Sequence, residues 1–415
     1  MKKYFFFVLI SANIYSQNIQ NNQLLDSIAD IVNLDEVTVN SLRAKNNSPV
    51  PFVNISKKDL ENTNLAQDLP TLLKNTPSVL TTSDSGSGIG YSSIRVRGSD
   101  QSRVNVTING VPYNDSESMS VYWVNLPDFA SSIESIQIQR GVGTSTNGSA
   151  AFGGSVNIQT NAASDVALFE INNSLGSFNT VKNSVSFSTG FINDKFELSG
   201  RLSRIKSGGY IDRSGSKLRS YFLQGIYKDS NTLIKLLNFA GHEITDQAWF
   251  GIDSTTLESN RRYNPAGEYY DKNGNVLYYD NQDDNYKQDH YQLHWNQDYE
   301  NGWISNFGLH YTYGRGFFEN YNLAFDSNSS DNIDRRWLDN DFYGLIFSFN
   351  NNSDNYNAII GGSYNKYEGE HFGEYLWNAG SNELSNFKER FYSDYGNKSE
   401  LNFYAKLDYY LSKNL

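Results

Sequence analysis

Five histidines, His242, His290, His294, His310 and His371, and one aspartate-rich turn are the residues of this chain best suited to metal or acid–base chemistry. Neither group reads as a reactive site. His290 and His294 share the polar face of an alternating segment, but four residues along an extended chain is too far for one metal ion to bridge. They read as solvated polar side chains. Asp271-Lys272-Asn273-Gly274-Asn275 has some features of a calcium loop, yet its glycine is misplaced and no glutamate stands at the twelfth position. Asn273-Gly274 between tyrosine-rich arms predicts a hairpin turn in an external loop instead. The chain has no cysteine, which excludes disulfides, thiolate metal sites and a lipoprotein anchor. No nucleophile elbow, zinc-protease helix or phosphate-binding loop occurs. The expectation is a protein that is not an enzyme, with no metal and no cofactor.

Binding chemistry is better supplied. Leu34-Asp35-Glu36-Val37-Thr38-Val39 is a lone β-type stretch between polar, flexible sequences. A strand without a local partner is unstable by itself, and offering one to another protein is β-augmentation. Further along, Arg95, Arg97, Arg103 and Arg140 are interleaved with Gly98, Gly110, Gly141, Gly148, Gly153 and Gly154. Guanidinium groups make bidentate bonds to carboxylates, and Glu170 and Glu197 are candidate partners.

The elements that position these residues fall into two textures. Between Gly86 and Thr160, short β-type runs (Ile94 to Arg97, Val104 to Ile108, Ile133 to Gln139, Ser155 to Gln159) are cut by glycine turns. Ahead of them, Ser56 with Asp59 three residues later opens a short helix. Leu65 to Lys74 carries a second apolar helical face that Thr76-Pro77 ends. From about Ala167, apolar and polar residues alternate. Val181, Val185 and Phe187 interleave with Lys182, Ser184 and Ser186, and Tyr291, Leu293 and Trp295 with His290, Gln292, His294 and Asn296. About ten such segments follow, each near the length of a membrane-crossing strand. They are expected near 167–176, 180–189, 196–207, 219–228, 231–242, 287–299, 303–316, 340–350, 356–370 and 399–411. The links after the second, fourth, sixth and eighth are tight, and those after the third, fifth, seventh and ninth are long. Outer-membrane barrels have that parity, and a soluble sandwich has no reason for it.

The bulk composition agrees. Only 38% of residues are hydrophobic, yet 14% are aromatic, which suits a wall with one apolar and one polar face. A net charge of −12 argues against nucleic acid as a partner. Met1-Lys2-Lys3, the apolar run Tyr4 to Ile10 and the small residue Ser16 before Gln17 form a secretory signal peptide. The apolar run is too short for a spanning helix.

Residues 86–160 resemble the plug domain of TonB-dependent outer-membrane receptors. The resemblance rests on Ile94-Arg95-Val96-Arg97-Gly98, on Val106-Thr107-Ile108-Asn109-Gly110-Val111-Pro112, on Ile133 to Gly141 and on Asn147 to Ile158, in that order and spacing. Leu34 to Val39 looks like the TonB box. Asn109 replaces the family's usual aspartate, and Thr146-Asn147 its usual tyrosine. The resemblance implies a mainly β chain with a small α+β plug domain at 49–163 and antiparallel transmembrane β-barrel strands at 164–415. A signal peptide at 1–16 and a flexible segment at 17–48 precede them. A barrel around such a plug needs about 22 strands, so the barrel is expected to be incomplete and the chain to be the N-terminal part of a longer protein. A ten-stranded barrel beside a soluble domain is the alternative. The arginines and glycines above become candidate plug-to-barrel contacts and plug turns. The implied partners are TonB with its inner-membrane energy-coupling complex, outer-membrane lipid and a small extracellular ligand. The implied location is the outer membrane of a Gram-negative bacterium. The implied activity is import of a scarce solute, first an iron–siderophore or other iron complex, by energised displacement of the plug. Oligosaccharide, peptide, cobalamin and haem are alternative solutes. A passive adhesin or bacteriocin receptor is the reading from another class.

Overall fold

The computed structural model describes residues 43–44, 50–143, 148–324, 330–353, 355–380 and 388–409. The expected signal peptide and the Leu34–Val39 strand lie outside the described residues. An inner domain comes first. Its strands are β1 (Phe52–Ser56), β2 (Val79–Ser83), β3 (Ser92–Val96), β4 (Val104–Ile108), β5 (Val111–Pro112), β6 (Ile133–Arg140) and β7 (Gly154–Thr160). Five of them form a sheet in the order β1-β6-β7-β4-β5, while β2 and β3 form a separate ribbon. Strands β4 and β7 run parallel, and every other pairing in this domain is antiparallel.

Every residue of β4 and β7 is buried, including Asn105, Thr107, Asn157 and Gln159. One face of the sheet carries Val104, Val106, Ile108, Ile136, Ile138, Val156 and Ile158 into the core, and the alternate polar residues point the other way. Gly154 is needed where β7 enters. A Cβ there would stand 2.6 Å from the Gln139 carbonyl oxygen and 3.0 Å from Val96 Cγ1.

Helix α1 (Lys57–Glu61) has the expected start: Ser56 accepts from the Asp59 amide while Asp59 accepts from the Ser56 amide. The second helix, α2 (Leu69–Leu72), is far shorter than the expected Leu65 to Lys74. Pro70 explains this, because proline fits only the first turn of a helix. The apolar spacing at Leu65 and Ala66 therefore belongs to a loop. Strand β1 falls in a stretch read only for its helices, and it is stabilised by full pairing with β6.

The wall that follows is a ten-stranded antiparallel meander: β8 (Ala167–Gly176), β9 (Thr180–Thr189), β10 (Phe196–Ser207), β11 (Ser216–Lys228), β12 (Thr232–Asp246), β15 (Asp283–Asp298), β16 (Trp303–Asn322), β17 (Asn332–Asn352), β18 (Tyr356–Asn378) and β19 (Arg390–Tyr409). Strands β8 and β19 are its two ends, so the barrel is incomplete in this chain. Between β12 and β15 lie helix α3 (Ser254–Ser259) and the hairpin β13 (Glu268–Tyr270) and β14 (Val276–Tyr278). Asp271 to Asn275 turns that hairpin, with Asp271 Oδ1 accepting from the Asn273 and Asn275 amides and Gly274 at φ 79°.

All ten expected strands occur, and the short links 190–195, 229–231, 299–302 and 353–355 share one end of the wall. At the other end β15 to β19 run well past the expected limits. Trp303–Asn322 pairs with Asn332–Asn352 over its whole length. Antiparallel neighbours go on exchanging hydrogen bonds wherever both continue, even where the apolar alternation has faded.

The two faces of the wall differ. Leu236, Leu293, Leu309 and Leu345 stand opposite one another on four successive strands, and all four are exposed. Rows of aromatic residues flank this belt: Tyr291, Tyr311 and Tyr343 on one side, Trp295, Phe307 and Phe347 on the other. The opposite face carries Lys182, Ser184, Arg201, Gln224, Glu243, His290, Gln292 and Asn306, all buried. What buries them is the inner domain. The apolar core runs across the junction, with Phe129 of the inner domain against Phe222 and Phe239 of the wall at ring-centroid distances of 6.3 and 5.2 Å.

Candidate functional site

The inner domain is held to the wall by charge as well as by packing. Asp128 sits in the left-handed region at φ 53°, just before a 3-10 turn over Phe129–Ser132. Its carboxylate meets Lys182 Nζ of β9 at 2.5 Å and Arg201 Nη1 of β10 at 3.1 Å, and its side chain is fully sealed from solvent. Ser131 and Asn64 also donate to it. Burial alone would raise the carboxyl's pKa; Arg201 and Lys182, with the hydrogen bonds, outweigh that and hold it well below the usual carboxylate range. Around the pair, Arg201 Nε donates to Ser132 Oγ at 2.9 Å and Ser220 Oγ donates to the Pro127 carbonyl at 2.7 Å. Lys235 Nζ reaches the Asn161 carbonyl at 2.8 Å.

On the side of the long links, the wall and the apex of the inner domain line a wide-mouthed cavity of about 1040 Å³. Its lining mixes aromatic residues (Trp249, Phe317, Trp337) with carboxylates (Asp115, Glu243, Asp284). Tyr91 of the inner domain reaches into this lining. Its hydroxyl donates to Asp284 Oδ2 at 2.5 Å and lies 3.4 Å from Glu243 Oε1, and Trp249 meets its ring edge-on at 5.2 Å. Burial, and then the neighbouring carboxylates, push the Tyr91 phenol well above its ordinary value, so it stays a donor.

A second apical contact is made by the turn at 113–120. Asp115 Oδ1 accepts from the Ser118 amide at 2.7 Å and closes the turn on itself. Glu117 pairs with His371 Nε2 of β18 at 2.7 Å, and Lys398 Nζ of β19 donates to the Ser116 carbonyl at 3.0 Å. Asn114 ties the turn to β4, accepting from the Val106 amide at 2.7 Å and donating to the Val104 carbonyl at 3.0 Å.

At the opposite end, Arg43 and Ala44 are clipped to the sheet. Arg43 donates to Ser135 Oγ, the Ser135 carbonyl and the Asn157 carbonyl at 2.9, 3.1 and 3.0 Å. The Gln137 amide group accepts from the Ala44 N–H at 2.7 Å and donates to its carbonyl at 3.1 Å.

The residues singled out from the sequence are distributed differently. Arg95 lies 3.6 Å from Asp100 of its own domain, both half-exposed. Arg97 folds over Gly141, where a Cβ would stand 2.7 Å from Nη1. The Arg103 carbonyl accepts from the Gly153 amide, and the Arg140 amide donates to the Pro51 carbonyl. Among the described residues, no ion pair joins these four arginines to Glu170 or Glu197. Glu197 accepts from Ser188 instead, and Glu170 is exposed on β8. The buried ion pairs across the junction have the opposite sense, with the acid on the inner domain and the bases on the wall.

Gly98, Gly110, Gly141 and Gly148 all have positive φ. His290, His294 and His310 are not solvated, because the inner domain buries them. His294 Nε2 contacts Gln292 Oε1 at 3.1 Å, and that same oxygen accepts from Asn109 Nδ2 at 3.2 Å. No group of three metal-ligating side chains occurs among the described residues. Asp128, Lys182 and Tyr91 were not legible as a site. Lys182 is an ordinary polar-face residue of its strand, and no local pattern marks Asp128.

Residues 44–155 match the profile of the TonB-dependent Receptor Plug Domain. The vitamin B12 transporter BtuB of Vibrio vulnificus (strain YJ016) is 31% identical over 176 residues, 42% of this chain and 28% of that protein. Among solved structures, the copper transporter OprC gives a TM-score of 0.66 at 15% identity, over 87% of this chain and 53% of that one. The ferric citrate transporter FecA in its unliganded form gives 0.65 at 15% identity, over 86% and 54%. At such identities the likeness is one of fold. The chain spans less than a third of the curated relatives it matches and about half of these solved structures. Residues 44–155 thus carry a TonB-dependent receptor plug domain, and the sheet of that domain seated on a ten-stranded meander gives the chain the fold seen in TonB-dependent receptors.

Proposed function

We propose that this protein imports a scarce solute across the outer membrane of a Gram-negative bacterium, energised through TonB. The observation that carries the reading is the apical cavity, walled by long-link strand ends and floored by Tyr91 and the 113–120 turn of the plug. A solute bound there touches both the wall and the plug. The plug connects that floor through β4, β7 and β6 to the clip at Arg43 and Ala44, a few residues beyond Leu34 to Val39. Those six residues are the TonB-binding strand in this reading. Their release gives TonB an unpaired β-type partner, and traction on them displaces the plug. The exposed leucine belt with its aromatic flanks supports lipid contact for the outer face.

The solute we favour is an iron–siderophore or other iron complex of neutral or positive charge, because the carboxyl groups lining the cavity (Asp115, Glu117, Glu243, Glu268 and Asp284) outnumber its one arginine, Arg336. The similarity to vitamin B12 transporters over 176 residues supports cobalamin as the second reading. Deleting Asp35 to Val39 in the full-length protein tests the mechanism: uptake is lost while surface binding survives. Uptake that persists without this segment would exclude TonB coupling. Binding without uptake in the intact protein would favour a passive adhesin or bacteriocin receptor. Growth of a deletion strain on a panel of iron complexes, with cobalamin as a separate arm, tests the solute.

A further inference from the structure

We propose that the outer face of the wall carries a binding site for a phosphorylated lipid of the external leaflet, formed by Arg204 and Lys206 of β10 and Lys217 and Arg219 of β11. The proposal rests on the outer-membrane placement given above and adds a lipid partner to it.

The site follows from strand register. Arg204 stands directly opposite Arg219, and Lys206 directly opposite Lys217. All four are exposed and point away from the plug, alternating with the buried Ser203, Ile205, Ser207, Ser216 and Leu218. Opposed side chains start about 5 Å apart, and alternate positions on one strand about 7 Å apart. Four cationic side chains thus rise from a patch of a size that one or two phosphate groups can bridge.

This block lacks a counter-charge. In the outward rows beside it, β9 contributes Val181 and Asn183, and β12 contributes His242 and Ile244. Among the carboxylates at this end, Asp246 accepts from the Gly215 amide at 2.8 Å, and Asp212 of the adjoining link pairs with Arg262 at 2.9 Å. Asp283, two strands away on β15, feels the Lys217 charge without forming an ion pair. Other outward cations of the wall are matched: Lys287 with Asp289 at 2.6 Å, Arg315 with Asp339 at 3.0 Å and Lys366 with Glu368 at 2.8 Å. Like charges directly opposed in a sheet are destabilising. In a chain of net charge −12, two such pairs side by side are compensated by an anion from outside. Strands β10 and β11 are flanked by β9 and β12, so the block's neighbours in the sheet are complete.

Position selects a lipid over a soluble anion. On β10 the outward residues Phe196, Leu198 and Leu202 are apolar and exposed, and Arg204 is the next outward position. On β11 Tyr227, Leu223 and Tyr221 lead up to Arg219 in the same way. The cations therefore begin where the apolar belt ends. They do so beside the long link 208–215, on the external side in this placement. A lipid whose acyl chains lie on the belt brings its phosphate to this level. The arginines offer it paired donors and the lysines point charges.

The full-length receptor, purified in a nonionic detergent, is incubated with dioleoyl phosphatidic acid or dioleoyl phosphatidylcholine and examined by native mass spectrometry. We expect several-fold more phosphatidic acid to be retained. Arg204→Gln, Lys206→Gln, Lys217→Gln and Arg219→Gln together should abolish that preference. Lys287→Gln with Arg315→Gln, which removes matched cations, should leave it in place. A preference that survives the fourfold change, or that falls equally in both variants, overturns the proposal. Millimolar inorganic phosphate should displace little of the lipid, and full displacement would make this a site for a free anion only. Thermal unfolding gives a second readout with opposite signs. In detergent alone, Arg204→Gln should raise the midpoint, because it relieves the opposition to Arg219. With phosphatidic acid present, the same variant should gain less from the lipid than the native chain does. A lower midpoint in detergent alone overturns the argument from like charge. None of these measurements requires transport. They remain readable if deletion of Asp35 to Val39 refutes TonB coupling, and their failure leaves the importer reading standing.

Discussion

Asp128 of the plug lies 2.5 Å from Lys182 of the wall, 3% exposed or less on either side, and the two meet only because the plug is seated. Arg201 completes the arrangement from the next strand. Asp128→Ala strands two buried cations, which costs about 3–5 kcal/mol. The urea midpoint for plug release, followed by the fluorescence of buried Trp123, should fall. Asp128→Asn keeps part of the hydrogen bonding and should fall less. An unchanged midpoint in Asp128→Ala would remove the pair from the account of plug retention.

The same carboxyl sets an acid limit. Its pKa is lowered in the folded state, so its contribution is complete above the unfolded value of about 4. The contribution is lost as pH falls through the lower folded value. The plug should thus remain seated through the ordinary carboxylate range and release only in stronger acid. Asp128→Asn should flatten that acid limb, as measured by stability against pH.

Tyr91 governs the alkaline side. Burial and the nearby carboxylates raise its phenol, so its contribution is complete below the unfolded value of about 10 and is lost as pH rises through the higher folded value. Tyr91→Phe should remove this alkaline loss. It should also lower stability at neutral pH by about 1.5–3 kcal/mol, the range for a hydrogen bond to a charged group. Thermal unfolding of the two proteins at neutral and alkaline pH checks both effects.

Two glycines of the plug separate crowding from backbone strain. Gly154→Ala pushes a methyl group against the Gln139 carbonyl and Val96 and should cost about 1–3 kcal/mol. Gly98 has φ 77° and open space around its missing Cβ, so Gly98→Ala should cost only about 1 kcal/mol of backbone strain. Chemical denaturation of the two variants should rank them in that order.

The leucine belt predicts a dependence on depth in the membrane. Leu293→Lys places a charge on the exposed face at the level of Leu236 and Leu309 and should cost about 2–4 kcal/mol in lipid. Folding into phospholipid vesicles measures it. A Lys substitution at Leu168, near a strand end, should cost less.

The wall was readable in advance because its signal is local. Val181 to Ser188 or Tyr291 to Asn296 declare their faces within a few residues, since a strand's side chains alternate with period two. Its upper limits were not readable, because pairing beyond the apolar belt depends on the neighbouring strand rather than on the residue's own pattern. Strand β1 was hidden for the same reason: it is a strand by virtue of β6. The short α2 shows the reverse case, where Pro70 overruled an apolar spacing that looked helical.

By itself the sequence determined the two-texture chain, the strand faces, the link parity and the glycine turns, all properties of neighbouring residues. Only the tertiary structure decided which charges meet. Tyr91 and Asp284 are 193 positions apart. Asp128 finds Lys182 and Arg201 because the wall curves around the plug and carries two adjacent strands to the same point. Arg95 meets Asp100 and Arg97 covers Gly141 within their own domain, while an aspartate with no local signature meets the wall. The physical reason is that ion pairing depends on three-dimensional proximity and on the exclusion of water, and neither is a property of a residue's place in the chain.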